Sequence, residues 1–185
     1  MQSTPNITSL LNSAAPPTSL PALCVLALVM AIAVYVELKE NRIPNWLTFS
    51  GMALGLAINY FQGKPFFWSS LGGFAIGFGF LFLFYIFGGV GGGDVKLMGA
   101  AGALMGAQLI KPTLFYTAAI GAFIALMMVI WRKDFWLRIK GGMQRLAFWR
   151  KREQQPITQA TPIIVPYGVA IAAGCLMALL VKGAL

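Results

Sequence analysis

Histidine is absent from this sequence, and acidic residues number only five in 185: Glu37, Glu40, Asp94, Asp134 and Glu153. The first absence removes the commonest metal ligand and the usual general base, so neither a Ser–His nor a Cys–His nucleophile can be assembled. Cysteine is almost as scarce. Cys24 and Cys175 both lie in apolar stretches, form no CxxC pair and read as small buried hydrophobes. No metal site and no cofactor are expected. Charge of either sign is rare, at 10% of residues against the roughly 25% of a soluble domain.

What fills the chain is hydrophobic: 58% apolar residues with a mean hydropathy of +0.76. The expected fold class is all-α, a polytopic membrane protein of about six transmembrane helices. A helix needs roughly 20 apolar residues to cross a bilayer. Six stretches approach that length: Leu20–Val36, Trp46–Phe61, Phe66–Phe87, Val95–Ile110, Pro112–Trp131 and Ile163–Val181. Residues 1–19, rich in Ser, Thr, Asn and Pro, read as a disordered external tail rather than a cleaved signal, because no basic segment precedes the first apolar stretch. Residues 20–185 form one membrane domain.

Net charge is +9, and eight of the fourteen basic residues fall in the segment from Arg132 to Arg152. Clustered cations between two apolar stretches mark a cytoplasmic loop, here residues 132–160, rather than a nucleic-acid surface, for which no motif is present. Counting back through the spans, Lys39–Asn45 and Gly88–Asp94 come to the cytoplasmic side as well. Within the basic loop, aromatic and aliphatic residues interleave with cations, the composition of an interfacial segment or of a docking surface for charged groups.

This topology carries a chemical expectation. Glu37 closes the first span and Asp94 opens the fourth, so both reach the same membrane edge although they are distant in sequence; Glu40 lies one turn beyond Glu37. Two carboxylates close together in a low-dielectric site cannot both ionise easily, so one can serve as acid while the other activates water. Simpler roles remain open at this point: Glu37 paired with Lys39 or Arg42, and Asp94 as a helix N-cap. Gly91, Gly92 and Gly93 would let an extended peptide backbone approach Asp94. The run GVGGGDVK lacks the ending of a phosphate loop.

Three segments together resemble the type IV prepilin peptidases, polytopic aspartic proteases of the GxGD class. They are Gly91-Gly92-Gly93-Asp94-Val95-Lys96-Leu97, matching GxGDxKL; Arg42-Ile43-Pro44-Asn45-Trp46-Leu47, matching an RxIPNxL-like segment; and Pro166-Tyr167-Gly168-Val169-Ala170, matching PYG-A. The resemblance implies that leader peptides of type IV prepilins are cleaved at the cytoplasmic face of the bacterial inner membrane. Asp94 and Glu37 would be the catalytic pair. Gly91, Gly92, Gly93, Lys96, Pro166, Tyr167 and Gly168 would shape the site or bind substrate. Prepilin and the lipid bilayer would be the partners. Lys96 would tune the acid pair or snorkel to head groups; Tyr167 would line the substrate groove or anchor at the interface. Pro44 and Asn45 would start the second helix, Pro in its first turn and Asn as a cap.

The cysteine-rich insert of larger members is not found in this sequence, which is similar to the short, tight-adherence (Flp-type) form without methyltransferase activity. One departure stands out. The family places aspartate where this chain has Glu37, and glutamate reaches about 1.5 Å farther. On that reading the longer side chain is a misfit, Glu37→Asp would raise cleavage, and the alternative function is a weakened or inactive homologue that binds pilin or supports assembly.

Overall fold

The structure is a computed structural model describing residues 18–131 and 167–182. The tail through Pro17, the basic segment 132–160 and Pro166 lie outside the described residues. Five helices account for nearly everything else: α1 (Leu20–Glu40), α2 (Asn45–Phe61), α3 (Lys64–Ile86), α4 (Gly92–Trp131) and α5 (Tyr167–Val181). The fold is all-α. Three of the helices, α1, α3 and α4, are long and apolar enough to cross a membrane.

Local chemistry sets the boundaries. Ser19 precedes α1, with Pro in the first turn where its missing N–H costs nothing. α1 runs through Glu37 to Glu40, one turn beyond the span expected from hydropathy. It ends where Asn41 takes up φ 52°, a left-handed conformation that asparagine tolerates better than most residues. Pro44 stands just before α2 rather than inside it, and Asn45 is the first helical residue, not a cap. Its side chain is used elsewhere.

The largest departure from the expected spans is in α4. The sequence suggests two helices parted near Lys111 and Pro112. The structure instead breaks the helix at Gly106, with φ 78° and ψ 172°, and accommodates Pro112 inside the following helical stretch. The break reverses the chain. A Cβ on Gly77 of α3 would stand 2.7 Å from the carbonyl oxygen of Met98 and 3.2 Å from the Ile110 side chain. In a straight helix residues 98 and 110 would be about 18 Å apart, so residues 107–131 fold back beside 92–105.

Non-helical backbone at this depth needs hydrogen-bond partners within the protein. The amide of Ala107 donates to Ser69 Oγ at 3.2 Å. The carbonyl of Ala103, which would be its partner in an unbroken helix, accepts from Asn59 Nδ2 at 3.1 Å and from Ser70 Oγ. Asn59 also donates to the carbonyl of Gly55 at 2.9 Å. The buried side chains of Asn59 and Ser70 and the partly buried Ser69 are thereby satisfied together.

α4 is the spine: it packs on α1, α2, α3 and α5. Its first half is nearly all buried, with Leu97, Met98, Ala100, Ala101 and Ala103 at 0% exposure. Against α3 the approach is backbone to backbone: a Cβ on Gly73 would collide with Gly102 O and stand 2.6 Å from the Gly106 carbonyl carbon. Only small residues allow this spacing. The registers of these contacts align the bundle. Asn45 pairs with Lys96 and Gly55 with Ala103, so α2 runs parallel to the first half of α4. Ser19 and Gln62 meet at the far end, 2.7 Å apart. The end of α1, the start of α2, the glycine run before α4 and the start of α5 therefore gather at the opposite end.

Candidate active site

At that end lies a cavity of about 520 Å³, lined by Glu37, Asn41, Arg42, Ile43, Tyr167 and the stretch from Gly88 to Asp94. Both expected carboxylates are in its wall, and both are buried, Glu37 at 7% exposure and Asp94 at 8%. They come from α1 and α4 and line the same cavity. Glu40, by contrast, is exposed and takes no part in the lining.

Asp94 is the third residue of α4, not its cap. Its Oδ2 accepts a hydrogen bond from the backbone N–H of Gly91 at 3.2 Å, while its own N–H donates to the Gly91 carbonyl at 3.1 Å. This is the reach-back half of a capping box, and an acid in a helix's first turn is also favoured by the helix dipole. Local backbone chemistry therefore fixes the direction of the Asp94 side chain. A Cβ on Gly91 would approach Oδ2 to 2.9 Å, so the residue before the helix must stay small for the carboxylate to keep this position. Gly93 packs against Ile43, where a Cβ would stand 3.1 Å from the Ile43 Cβ, and this contact seats the glycine run on the connection between α1 and α2.

Glu37 is held differently. The sequence leaves open a pairing with Lys39 or Arg42; the structure gives it backbone amides. Gly168 N–H donates to Oε1 at 3.0 Å and Val169 N–H donates to Oε2 at 3.2 Å. These amides belong to the first turn of α5, where N–H groups have no partner within the helix and negative charge is welcome. Gly168 is thus a direct neighbour of Glu37. Tyr167 lines the same cavity and packs on Gly121 of α4.

Lys96 points elsewhere. Its Nζ donates to Asn45 Oδ1 at 2.8 Å and sits 5.3 Å from the centre of the Phe49 ring. It links α4 to the start of α2 and is not part of the cavity lining. Asn41, Arg42, Ile43 and Val90 also line the cavity, although the sequence offered Arg42 and Ile43 only as motif residues, with Arg42 also as an ion-pair partner for Glu37, and gave no role to Asn41 and Val90. The signal for them was available: they flank the two acids in sequence.

Residues 24–126, more than half of the chain, match the type IV leader peptidase family. The Prepilin leader peptidase/N-methyltransferase of Bacillus subtilis (strain 168) is 28% identical to this chain over 162 residues, covering 86% of it and 55% of the relative. The chain spans about half the length of that curated relative. No solved structure matches it.

Proposed function

The chain belongs to the type IV leader peptidase family, and from that premise we propose that it is a membrane aspartic endopeptidase that removes leader peptides from type IV prepilins, with Flp-like pilins as substrates. The reading places the cavity at the cytoplasmic face of the bacterial inner membrane and counts the fold-back of α4 as two of six membrane crossings. One observation carries it: two buried carboxylates, from helices far apart in sequence, open into one glycine-walled cavity.

In this mechanism Asp94 and Glu37 share a proton, because two carboxylates at close range in a dry site resist double ionisation. The ionised member takes a proton from water as it attacks the scissile carbonyl, and the protonated member delivers one to the leaving amine. Gly88, Gly89 and Gly91 to Gly93 leave the wall beside Asp94 without side chains, so an extended peptide can lie against the backbone there. Tyr167 also lines the cavity.

Co-expression with a prepilin, followed by electrophoresis, tests the reading. Leader loss with the native chain and none with Asp94→Asn is the expected result. An Asp94→Asn variant that cleaves at full rate removes the assigned chemistry. A second reading is favoured by the two amides that occupy the Glu37 oxygens: a non-catalytic homologue in which Glu37 serves as a tie between helices and the cavity binds pilin without cutting it. Stoichiometric prepilin capture with no product supports that reading, and turnover excludes it.

A further inference from the structure

We infer that Gly168 is a positioning residue for Glu37, and that the two form a matched pair: the site is built for glutamate at position 37, with the first amides of α5 as its receptor. The inference rests on the peptidase reading only for its consequence in rate.

The geometry is specific at both ends. Each oxygen of the carboxylate accepts one amide, Gly168 on Oε1 and Val169 on Oε2, so the group straddles the first turn of α5. The carboxylate lies so close to the Gly168 Cα that a Cβ there would collide with Oε2 and stand 3.1 Å from Cδ. A side chain at 168 therefore displaces the carboxylate from its present seat on the two amides. The opposite change fails at the other end. Aspartate is shorter by one C–C bond, about 1.5 Å, which takes both oxygens out of hydrogen-bond range of amides now at 3.0 and 3.2 Å. Glutamate length and an absent side chain at 168 are each required by the other. Val169 has no such constraint, because its contribution is a backbone N–H.

The pairing also changes what glutamate means at this position. Its extra reach is taken up by the seat on α5, and the carboxylate is fixed by contacts that a shorter acid cannot make. Glu37 also ties α1 to α5, two helices that pack on each other. Glu37→Asp is accordingly expected to lower cleavage, the reverse of the effect expected from sequence.

Four purified full-length proteins in detergent test this: the native chain, Glu37→Asp, Gly168→Ala and the double variant, each assayed with a fluorogenic peptide spanning a prepilin leader junction. Gly168→Ala in the native background is expected to lower kcat on the order of a hundredfold, with KM little changed, because it displaces a reacting group by about 1 Å. In the Glu37→Asp background the same substitution is expected to change kcat by less than about threefold, since the shorter acid no longer reaches the amides beside residue 168. Equal losses in both backgrounds overturn the pairing. A second readout needs no turnover. In spectra with labelled glycine and valine, the Gly168 and Val169 amide protons should shift and lose exchange protection in Glu37→Asp, while distant glycines stay fixed. Unmoved amides overturn the inference even if peptide is cut. If no variant cuts peptide, the peptidase reading fails, and the amide signals still decide the pairing.

Discussion

Replacing Gly73 with alanine adds a single methyl group where α3 and α4 meet backbone to backbone. The new Cβ would collide with Gly102 O and stand 2.6 Å from the carbonyl carbon of Gly106. Carbon atoms pack at about 3.5 Å or more, so α3 and α4 must part by roughly 0.9 Å. Overpacking of this kind costs about 1–3 kcal/mol. Gly79, six residues along the same helix, is the control, because a Cβ there meets nothing within 4 Å. Both substitutions gain the same helix propensity, about 0.5–1 kcal/mol, so the difference between them isolates the contact. Gly79→Ala should raise the unfolding midpoint in detergent and Gly73→Ala should lower it. The activity effect follows from α4 as well. Asp94 lies eight residues from Gly102, about 12 Å along the helix. If the helix moves as a rod, a shift near 1 Å reaches the carboxylate and should lower kcat on the order of a hundredfold. Thermal unfolding and peptide cleavage on the two variants provide the measurement. Equal midpoints and equal rates would refute the reasoning, because they would mean that the contact does not govern the position of the site.

Other outcomes follow from the same contacts. Asn59→Leu removes donors from the Gly55 and Ala103 carbonyls and should destabilise the protein by about 1–3 kcal/mol, measured by denaturant titration; Ser70 still serves Ala103, which sets the loss toward the lower end. Lys96→Met breaks the bond to Asn45 and the contact with Phe49. It should cost within about 1 kcal/mol of stability while leaving the pH profile of cleavage unchanged, since Lys96 is outside the cavity. Gly91→Ala places a Cβ 2.9 Å from Asp94 Oδ2 and should depress kcat well before it affects the unfolding midpoint, a split that steady-state kinetics and calorimetry can resolve.

The sequence made the convergence of the two acids legible because it depends only on counting apolar stretches and reading which side carries the cations. Glu37 and Asp94 fall at the same end for any even number of crossings between them. The turn in α4 was not legible. Pro112 advertises a helix boundary, but it tolerates a place early in the second stretch, whereas the left-handed φ at the break requires a residue like Gly106. The Ser69–Ser70 pair and Asn59 look like stray polar residues in apolar runs; only the folded bundle gathers them around one interrupted backbone. The partner of Glu37 was hidden for a similar reason. A backbone amide has no sequence signature, and Gly168 is 131 residues away along the chain.

The second half of α4 continues ten residues past Gly121, where it touches Tyr167 of the cavity wall, and so runs about 15 Å beyond that contact. Its outward residues there, Phe123, Leu126, Met127 and Ile130, are exposed and oily. At the end of α1, just past Glu37, the exposed residues Lys39, Glu40 and Arg42 follow, Arg42 in the cavity wall. The opening thus borders an apolar helix face on one side and a cluster of charged residues on the other. An amphiphilic chain, half hydrocarbon-loving and half water-loving, could lie across it as a boat lies across a lock, its junction over the two acids, without either half leaving its preferred solvent.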